Sequence, residues 1–342
     1  MPLNISTSAP FELVDVTDDL ILLPQTWTLL NDSGLFQPEY LSTKTVTFEA
    51  NTGGLVVVKD QVRGTKPVTL GRDTRKLHSY STTYHPIFDS LKPDELDGRT
   101  RPGSKRKELD TEAAALMRMM EKVRKSYDIT LEVARFKTLA TGQAWAPNGT
   151  IVVDYYSDFG ITKKVVDFVL GTATTDVIDK CNEVIASFQE SATEGQIVTE
   201  VLGYASPDFF KKLVAHAKVT QTHIYQQIGS NGNITQDRAG GMGLYRKLSF
   251  GGINFIEVPT LINGEALVPA GKCIFVARED TGSFKTFFSP AVRFGYVNTV
   301  AEANYMFIQR ATNLTEISVD AEMNMLNALL KPNFVAEGMS SN

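Results

Sequence analysis

Residues 110 to 141 carry apolar side chains at helical spacing for about nine turns, with no Gly or Pro to interrupt them. Leu116, Met120, Val123, Tyr127, Leu131 and Ala134 recur at steps of three and four, and Met119 and Ile129 widen the stripe. Asp110 is placed to cap the amino end, with Glu112 in the first turn. Gly142 supplies a stop and Pro147 forbids resumption. At 1.5 Å per residue the helix is about 48 Å long, which is long for one globular domain. A coiled coil would continue the stripe. Here strand-like sequence follows at once, which argues against a coiled coil. The 342 residues suit two or more compact lobes, or one core with long extensions.

Residues 1 to 43 show no sustained period. Apolar anchors such as Phe11, Leu13 and Ile21 stand among Pro10, Pro24 and Pro38, as in an arm with short helical pieces that docks on something larger. Val46-Thr47-Phe48 and Leu55-Val56-Val57-Val58 read as strands split by the turn Asn51-Thr52-Gly53-Gly54. Apolar residues then thin out, yet Val68-Thr69-Leu70 and the run Leu77 to Tyr84 still favour extended chain. A long, polar, two-stranded excursion fits. Such a ribbon is marginal alone in water, so a neighbour is expected to order it.

Beyond the long helix, Thr150 to Tyr155 is a strand, and Asp176 to Glu190 a helix with Val177, Ile178, Cys181, Val184, Ile185 and Phe188 inward. Gln196 to Tyr204 is a strand, and Ser206 caps a helix from Pro207 to Gln227. Residues 229 to 243 form a loop. Strands are expected at Leu248 to Val258, Ala266 to Val268, Lys272 to Ala277 and Val292 to Val297, then a helix at Ala321 to Leu330 and a polar tail. Helices and strands alternate between 176 and 277, as in a mixed α/β lobe.

The net charge is −5, unevenly spread. Residues 1 to 43 hold Glu12, Asp15, Asp18, Asp19, Asp32 and Glu39 and no Lys or Arg. Residues 59 to 76 hold Lys59, Arg63, Lys66, Arg72, Arg75 and Lys76 against Asp60 and Asp73. Residues 99 to 107 add Arg99, Arg101, Lys105, Arg106 and Lys107 with no acid. A dedicated nucleic-acid domain is basic overall, and this chain is not. An amino end without a basic residue is no export signal, so the chain is expected to be made in the cytoplasm. No run of about 18 apolar residues occurs, so no membrane span is expected. The two cysteines, Cys181 and Cys273, lack metal-ligand spacing and read as buried thiols.

No constellation carries chemistry. Gly240-Gly241-Met242-Gly243 has Arg246 where a dinucleotide loop needs its third Gly, and strand follows instead of helix. His216 and His223 lie two turns apart on one helix, about 10 Å, too far for one metal. His78 and His85 have no carboxylate or thiol pattern near them and read as surface residues. Ser206 lacks a nucleophile-elbow context, and Asp18-Asp19 sit where nothing tunes them for acid–base work. No catalytic, metal or cofactor residue is named.

Three patches nevertheless resemble a known family. The first runs Val57-Val58-Lys59-Asp60-Gln61-Val62-Arg63-Gly64, then Gly71-Arg72, Arg75-Lys76, Tyr80, Tyr84, Pro86-Ile87 and Leu91-Lys92-Pro93-Asp94-Glu95-Leu96. The second is Leu139-Ala140-Thr141-Gly142-Gln143-Ala144-Trp145 followed by Val152-Val153-Asp154-Tyr155, and the third Gly251-Gly252-Ile253-Asn254-Phe255-Ile256-Glu257-Val258-Pro259. In this order they resemble the lambda-type major capsid proteins (major head protein E family), which have the Hong-Kong-97 fold. The likeness spans about Thr43 to Ala336.

The resemblance implies an α+β fold. Residues 1 to 43 would be an arm and 44 to 98 an extended loop over the adjacent subunit. Residues 99 to 164 and 300 to 342 would form a peripheral domain with the long helix as its spine, and 165 to 299 an axial domain. It implies a structural protein rather than an enzyme. Copies would form hexamers and pentamers of an icosahedral shell around double-stranded DNA, touched only non-specifically. Because the extended loop begins near residue 44, scaffolding would be a separate protein; portal protein and, where one exists, a decoration protein would be further partners. The acidic arm residues Glu12, Asp15, Asp18 and Asp19 are expected to pair with Arg72, Arg75 and Lys76, or with Arg101, Lys105, Arg106 and Lys107, of adjacent copies; Arg63 belongs to the same contact set. The rivals are a nanocompartment shell of the same fold, an α/β enzyme, and a DNA-binding module using the basic stretches.

Overall fold

The computed structural model describes residues 13–15, 17, 28–52, 74–98, 111–145, 151–192, 196–221, 246–258, 261–262, 265–279, 282–311 and 315–341. In chain order these give β1 (Leu13–Asp15), α1 (Leu29–Ser33), β2 (Gln37–Tyr40), β3 (Thr45–Thr52), β4 (Thr74–Ser81), β5 (Thr83–Leu91), α2 (Pro93–Leu96), α3 (Glu112–Thr141), β6 (Gln143–Trp145), β7 (Ile151–Asp154), α4 (Tyr155–Phe159) and β8 (Lys164–Asp167). There follow α5 (Val177–Ser191), β9 (Val198–Ala205), α6 (Pro207–Ala215), β10 (Lys247–Phe250), β11 (Ile253–Glu257), β12 (Leu261–Ile262), β13 (Glu265–Ala266), β14 (Lys272–Glu279), β15 (Phe284–Phe288), β16 (Tyr305–Arg310), β17 (Ile317–Leu329) and β18 (Val335–Met339).

The long helix is present as α3, about 45 Å of it. Its cap is Thr111, whose side chain accepts from Ala114 N; Asp110 lies outside the described residues. Gly142 ends it at φ +74°, donating its N–H to Thr138 O at 2.8 Å. One face of α3 packs Leu116, Met120, Val123 and Tyr127 against Met306, Ile308, Val319, Ala321 and Met323 of the first sheet. The carboxyl half, through Val133, Phe136 and Leu139, joins the core that runs into the second sheet. The helix thus bridges two lobes.

The first sheet has the order β1-β16-β17-β15-β2, with β5 also on β17. The second has the order β10-β11-β9-β14-β18-β8. β3 and β4 form a separate antiparallel ribbon, from Thr45 opposite Ser81 to Thr52 opposite Thr74. Both expected inner-segment strands, Leu55 to Val58 and Val68 to Leu70, lie outside the described residues, as does the loop 229 to 243.

Several expectations are corrected. Ala321 to Leu330 is not a helix: it belongs to β17, which pairs with β5, β15 and β16. Met, Leu and Ala favour helix locally, but three long-range partners outweigh that preference. The tail is not free, since Val335–Met339 forms β18 between β14 and β8. Leu248 to Val258 is a hairpin rather than one strand, turning at Gly251 and Gly252 with φ +57° and +80°, the left-handed pair a tight two-residue turn demands. Val292 to Val297 is irregular, because Gly295 at φ +97° breaks the extended run.

The helix from Pro207 ends at Ala215. His216 takes an extended backbone, its Nδ1 accepts from Lys218 N, and its O accepts from Thr220 N as a new turn begins. His216 is buried with Nε2 3.0 Å from Thr172 O, while His223 lies outside the described residues. Along α5, capped by Asp176, Ile178 faces out while Val177, Cys181, Val184 and Phe188 are buried. Cys181 and Cys273 are both free and buried.

Candidate functional site

The ribbon β3–β4 is held at its root. Val46 is buried there, and Tyr80 donates from its hydroxyl to Asp158 Oδ2 at 2.8 Å on α4. Burial and the facing Asp158 carboxylate push the Tyr80 phenol well above its usual range, so it remains a donor. Tyr80 also meets Tyr155 edge-on, and His78 lies against Phe159. Further along, Leu77 is exposed. The described side chains thus anchor the ribbon at its Thr45–Ser81 end.

The described part of the arm is built into the molecule. β1 pairs with β16 and β2 runs parallel to β15. Between them, α1 sits on the long helix through a polar clamp. Glu132, 1% exposed, accepts from Leu30 N at 2.8 and 3.0 Å and from Asn31 N at 3.0 Å. One turn on, Arg135 donates to Asn31 Oδ1 at 2.7 Å and to Thr286 Oγ1, with its guanidinium 5.3 Å from the Phe36 ring. Burial pushes the Glu132 carboxyl up against the pull of those N–H groups and Arg135, and lowers the Arg135 guanidinium to about 10 despite Glu132. Nothing in the apolar periodicity announced this clamp; the signal was a carboxylate flanked by Leu131 and Val133 inside the stripe.

The first sheet has two different faces. His85, Ile87 and Leu91 of β5 look toward the long helix, with Met323, Ala321 and Ile317 opposite them. His85 is therefore buried rather than on the surface, and its pKa falls to about 4 through loss of water. Tyr127 donates to its backbone O at 3.2 Å. The other face carries Tyr84, Pro86 and Phe88 opposite Asn324, Glu322 and Asp320, with Tyr305 and Phe307 beyond on β16. The chain from 289 to 304 folds back over this face. Arg293 pairs with Asp320 at 3.1 Å and Glu322 at 3.4 Å and lies 4.2 Å over the Phe307 ring. Tyr296 packs against Tyr305 and Phe307.

Of the residues expected to join copies, the structure fixes only backbone positions for three. Asp15 pairs with Phe307 in β1, and Arg75 and Lys76 pair with Asn51 and Ala50 on the ribbon. Glu12, Asp18, Asp19, Arg63, Arg72, Arg101, Lys105, Arg106 and Lys107 lie outside the described residues, as does Gly240 to Gly243. Ser206 is a helix cap, its Oγ accepting from Phe209 N. Among the described residues no group of His, Cys, Asp and Glu is arranged to hold a metal, and no helix is long and apolar enough to cross a membrane.

Comparison with known proteins adds to this geometry. Residues 12–340 match the family described as phage major capsid protein E. The chain is 32% identical over 346 residues to the major capsid protein of Pseudomonas phage KPP10, covering 97% of both. It is 23% identical over 361 residues to that of Salmonella phage Felix O1, covering 98% of both. Among solved structures, the capsid of cyanophage P-SCSP1u matches with a TM-score of 0.51 at 12% identity, over 94% of this chain and 90% of that one. The mature capsid of bacteriophage PhiM1 matches with a TM-score of 0.52 at 11% identity, over 90% and 86%.

Proposed function

The chain belongs to the phage major capsid protein E family, and we propose that its copies join through the projecting ribbon and the acidic arm to form the hexamers and pentamers of an icosahedral head. The fold is of the Hong-Kong-97 type, and the protein is a structural component of the virion shell. The observation that carries the proposal is the match along residues 12–340, together with a ribbon clamped at its root by Tyr80 and Asp158.

In this reading residues 1 to 43 are the arm, 44 to 98 the loop reaching an adjacent copy, 99 to 164 with 300 to 342 the peripheral domain, and 165 to 299 the axial domain. Several segments cross those divisions: β1, β2, β5 and β15 run in the first sheet, and β18 runs in the second. Glu12, Asp15, Asp18 and Asp19 of one copy pair with Arg72, Arg75 and Lys76, or with Arg101, Lys105, Arg106 and Lys107, of the next, and Arg63 belongs to the same contact set. Each exposed pair is worth about 0 to 1 kcal/mol. Repeated around a shell, such pairs set angle and register more than affinity. The shell encloses double-stranded DNA without gripping it, since an acidic chain binds phosphate weakly. A separate scaffolding protein and a portal protein are the partners this role calls for, with a decoration protein where one exists.

Negative-stain microscopy of the protein expressed alone and with its neighbouring genes tests the proposal. Closed shells, tubes or six-fold rings are expected. A monodisperse monomer under every condition, scaffold included, overturns it. Assembly rate and shell size that ignore added salt overturn the charge-pairing part alone.

A further inference from the structure

The first sheet leaves an apolar surface that its own described residues do not cover. Tyr84 and Phe88 stand on the face of β5 turned away from the long helix, and Phe88 is 68% exposed. Beside them the covering chain turns Val292, Phe294, Val297 and Val300 outward, with Phe294 98% exposed. Arg293 ties the two groups together. It binds Asp320 and Glu322, which lie opposite Phe88 and Pro86, and its charge acts on Tyr84.

These side chains are presented by a fixed backbone. Val292 N donates to Glu322 Oε2 at 3.1 Å, Arg293 N to Ala291 O at 2.8 Å, and Ala301 N to Leu41 O at 2.8 Å. Tyr296 is pinned against Tyr305 and Phe307. Holding an aromatic ring in water on a pre-organised segment stabilises nothing within the chain. It suits a surface that is buried later, because little ordering entropy remains to be lost on contact.

We infer that this surface is a contact between copies of the chain, with Phe294 as its anchor. The inference rests on the shell reading above and says where one of its seams lies. Two observations select a second copy as occupant. The six side chains offer on the order of 700 Å² of apolar area, close to the roughly 800 Å² that one partner contributes to a stable interface. The cation at the centre, Arg293, is already paired with two carboxylates, Asp320 and Glu322, so the group carries a formal charge of −1 and gives a nucleic acid little to hold. In a ring the contact is heterologous: each copy shows this face to a different face of its neighbour.

The test compares wild type with Phe294→Asp, and with Val297→Asp as a second variant, in full-length protein. The unassembled subunit of each variant is expected to melt like wild type. The fraction sedimenting as closed particles is expected to fall about tenfold or more, as for loss of an interface anchor. Variants that fill shells at wild-type yield overturn the inference while leaving the shell reading intact. A lowered melting temperature in the unassembled subunit overturns it too, by showing that the chain covers its own surface. Normal shells that lose a co-expressed scaffolding protein would assign the face to that protein instead. Wild type that makes no particles sinks the shell reading and this inference together.

Discussion

Glu132→Ala removes the carboxylate that holds α1 to the long helix. Three hydrogen bonds disappear with it, two to Leu30 N and one to Asn31 N. The Leu30 N–H stays buried, and an unpartnered buried donor costs about 1 to 3 kcal/mol. Arg135, 5% exposed, loses the attraction of that charge but keeps its bonds to Asn31 and Thr286. A net loss of about 2 to 3 kcal/mol follows, or roughly 3 to 4 °C in melting temperature for a chain of this size. The assay is a thermal melt of the unassembled subunit, since assembly adds its own mass-action stabilisation. Limited proteolysis across residues 28 to 36 should show earlier cutting. Glu132→Gln keeps the shape but not the charge and should fall between. Adding Arg135→Met to Glu132→Ala should recover part of the loss, since the guanidinium left without that charge is gone. If Glu132→Ala melts like wild type, the clamp contributes nothing and the reasoning is refuted.

Acid should weaken the first lobe through His85. Its folded pKa, about 4, lies below the usual 6.5, so its contribution is complete above pH 6.5 and is lost as pH falls from there towards 4. The full loss is on the order of 3 kcal/mol, and His85→Asn should flatten that part of the stability–pH curve. Gly142→Ala places a methyl group 2.1 Å from Tyr156 Cε2 at a left-handed φ of +74°. It should cost about 2 to 4 kcal/mol, read as a lower denaturant midpoint with an unchanged slope.

What the sequence disclosed follows the range of the forces involved. The long helix, α5 and the start of α6 were legible because their signals are local: a 3.6-residue stripe, the apolar spacing from Val177 to Phe188, Ser206 before Pro207. β17 was not, because Met323, Leu326 and Leu329 mimic a helical stripe and its strand state comes from partners such as His85 and Phe287. Burial on both faces also erased the alternation that would have marked it. The run from Val292 to Val297 alternates like a strand, but no strand among the described residues pairs with it, and Val292, Phe294 and Val297 face water. The proposed acid–base pairing between copies rests on charge blocks alone, since an interaction between copies leaves no imprint on the fold of one copy.

β17 and β18 lie inside their sheets, and that placement orders events during synthesis. Without β17, β5 has no partner and β15 and β16 have no common neighbour. Without β18, β8 is detached and one edge of β14 stands open. Translation delivers these strands after almost every other element, so neither lobe can close early and the two must finish together. The chain therefore reaches its assembling shape only once residue 339 has been made. A chain cut before β17 lacks the strand that joins β5, β15 and β16, and so lacks the finished surfaces of the first sheet.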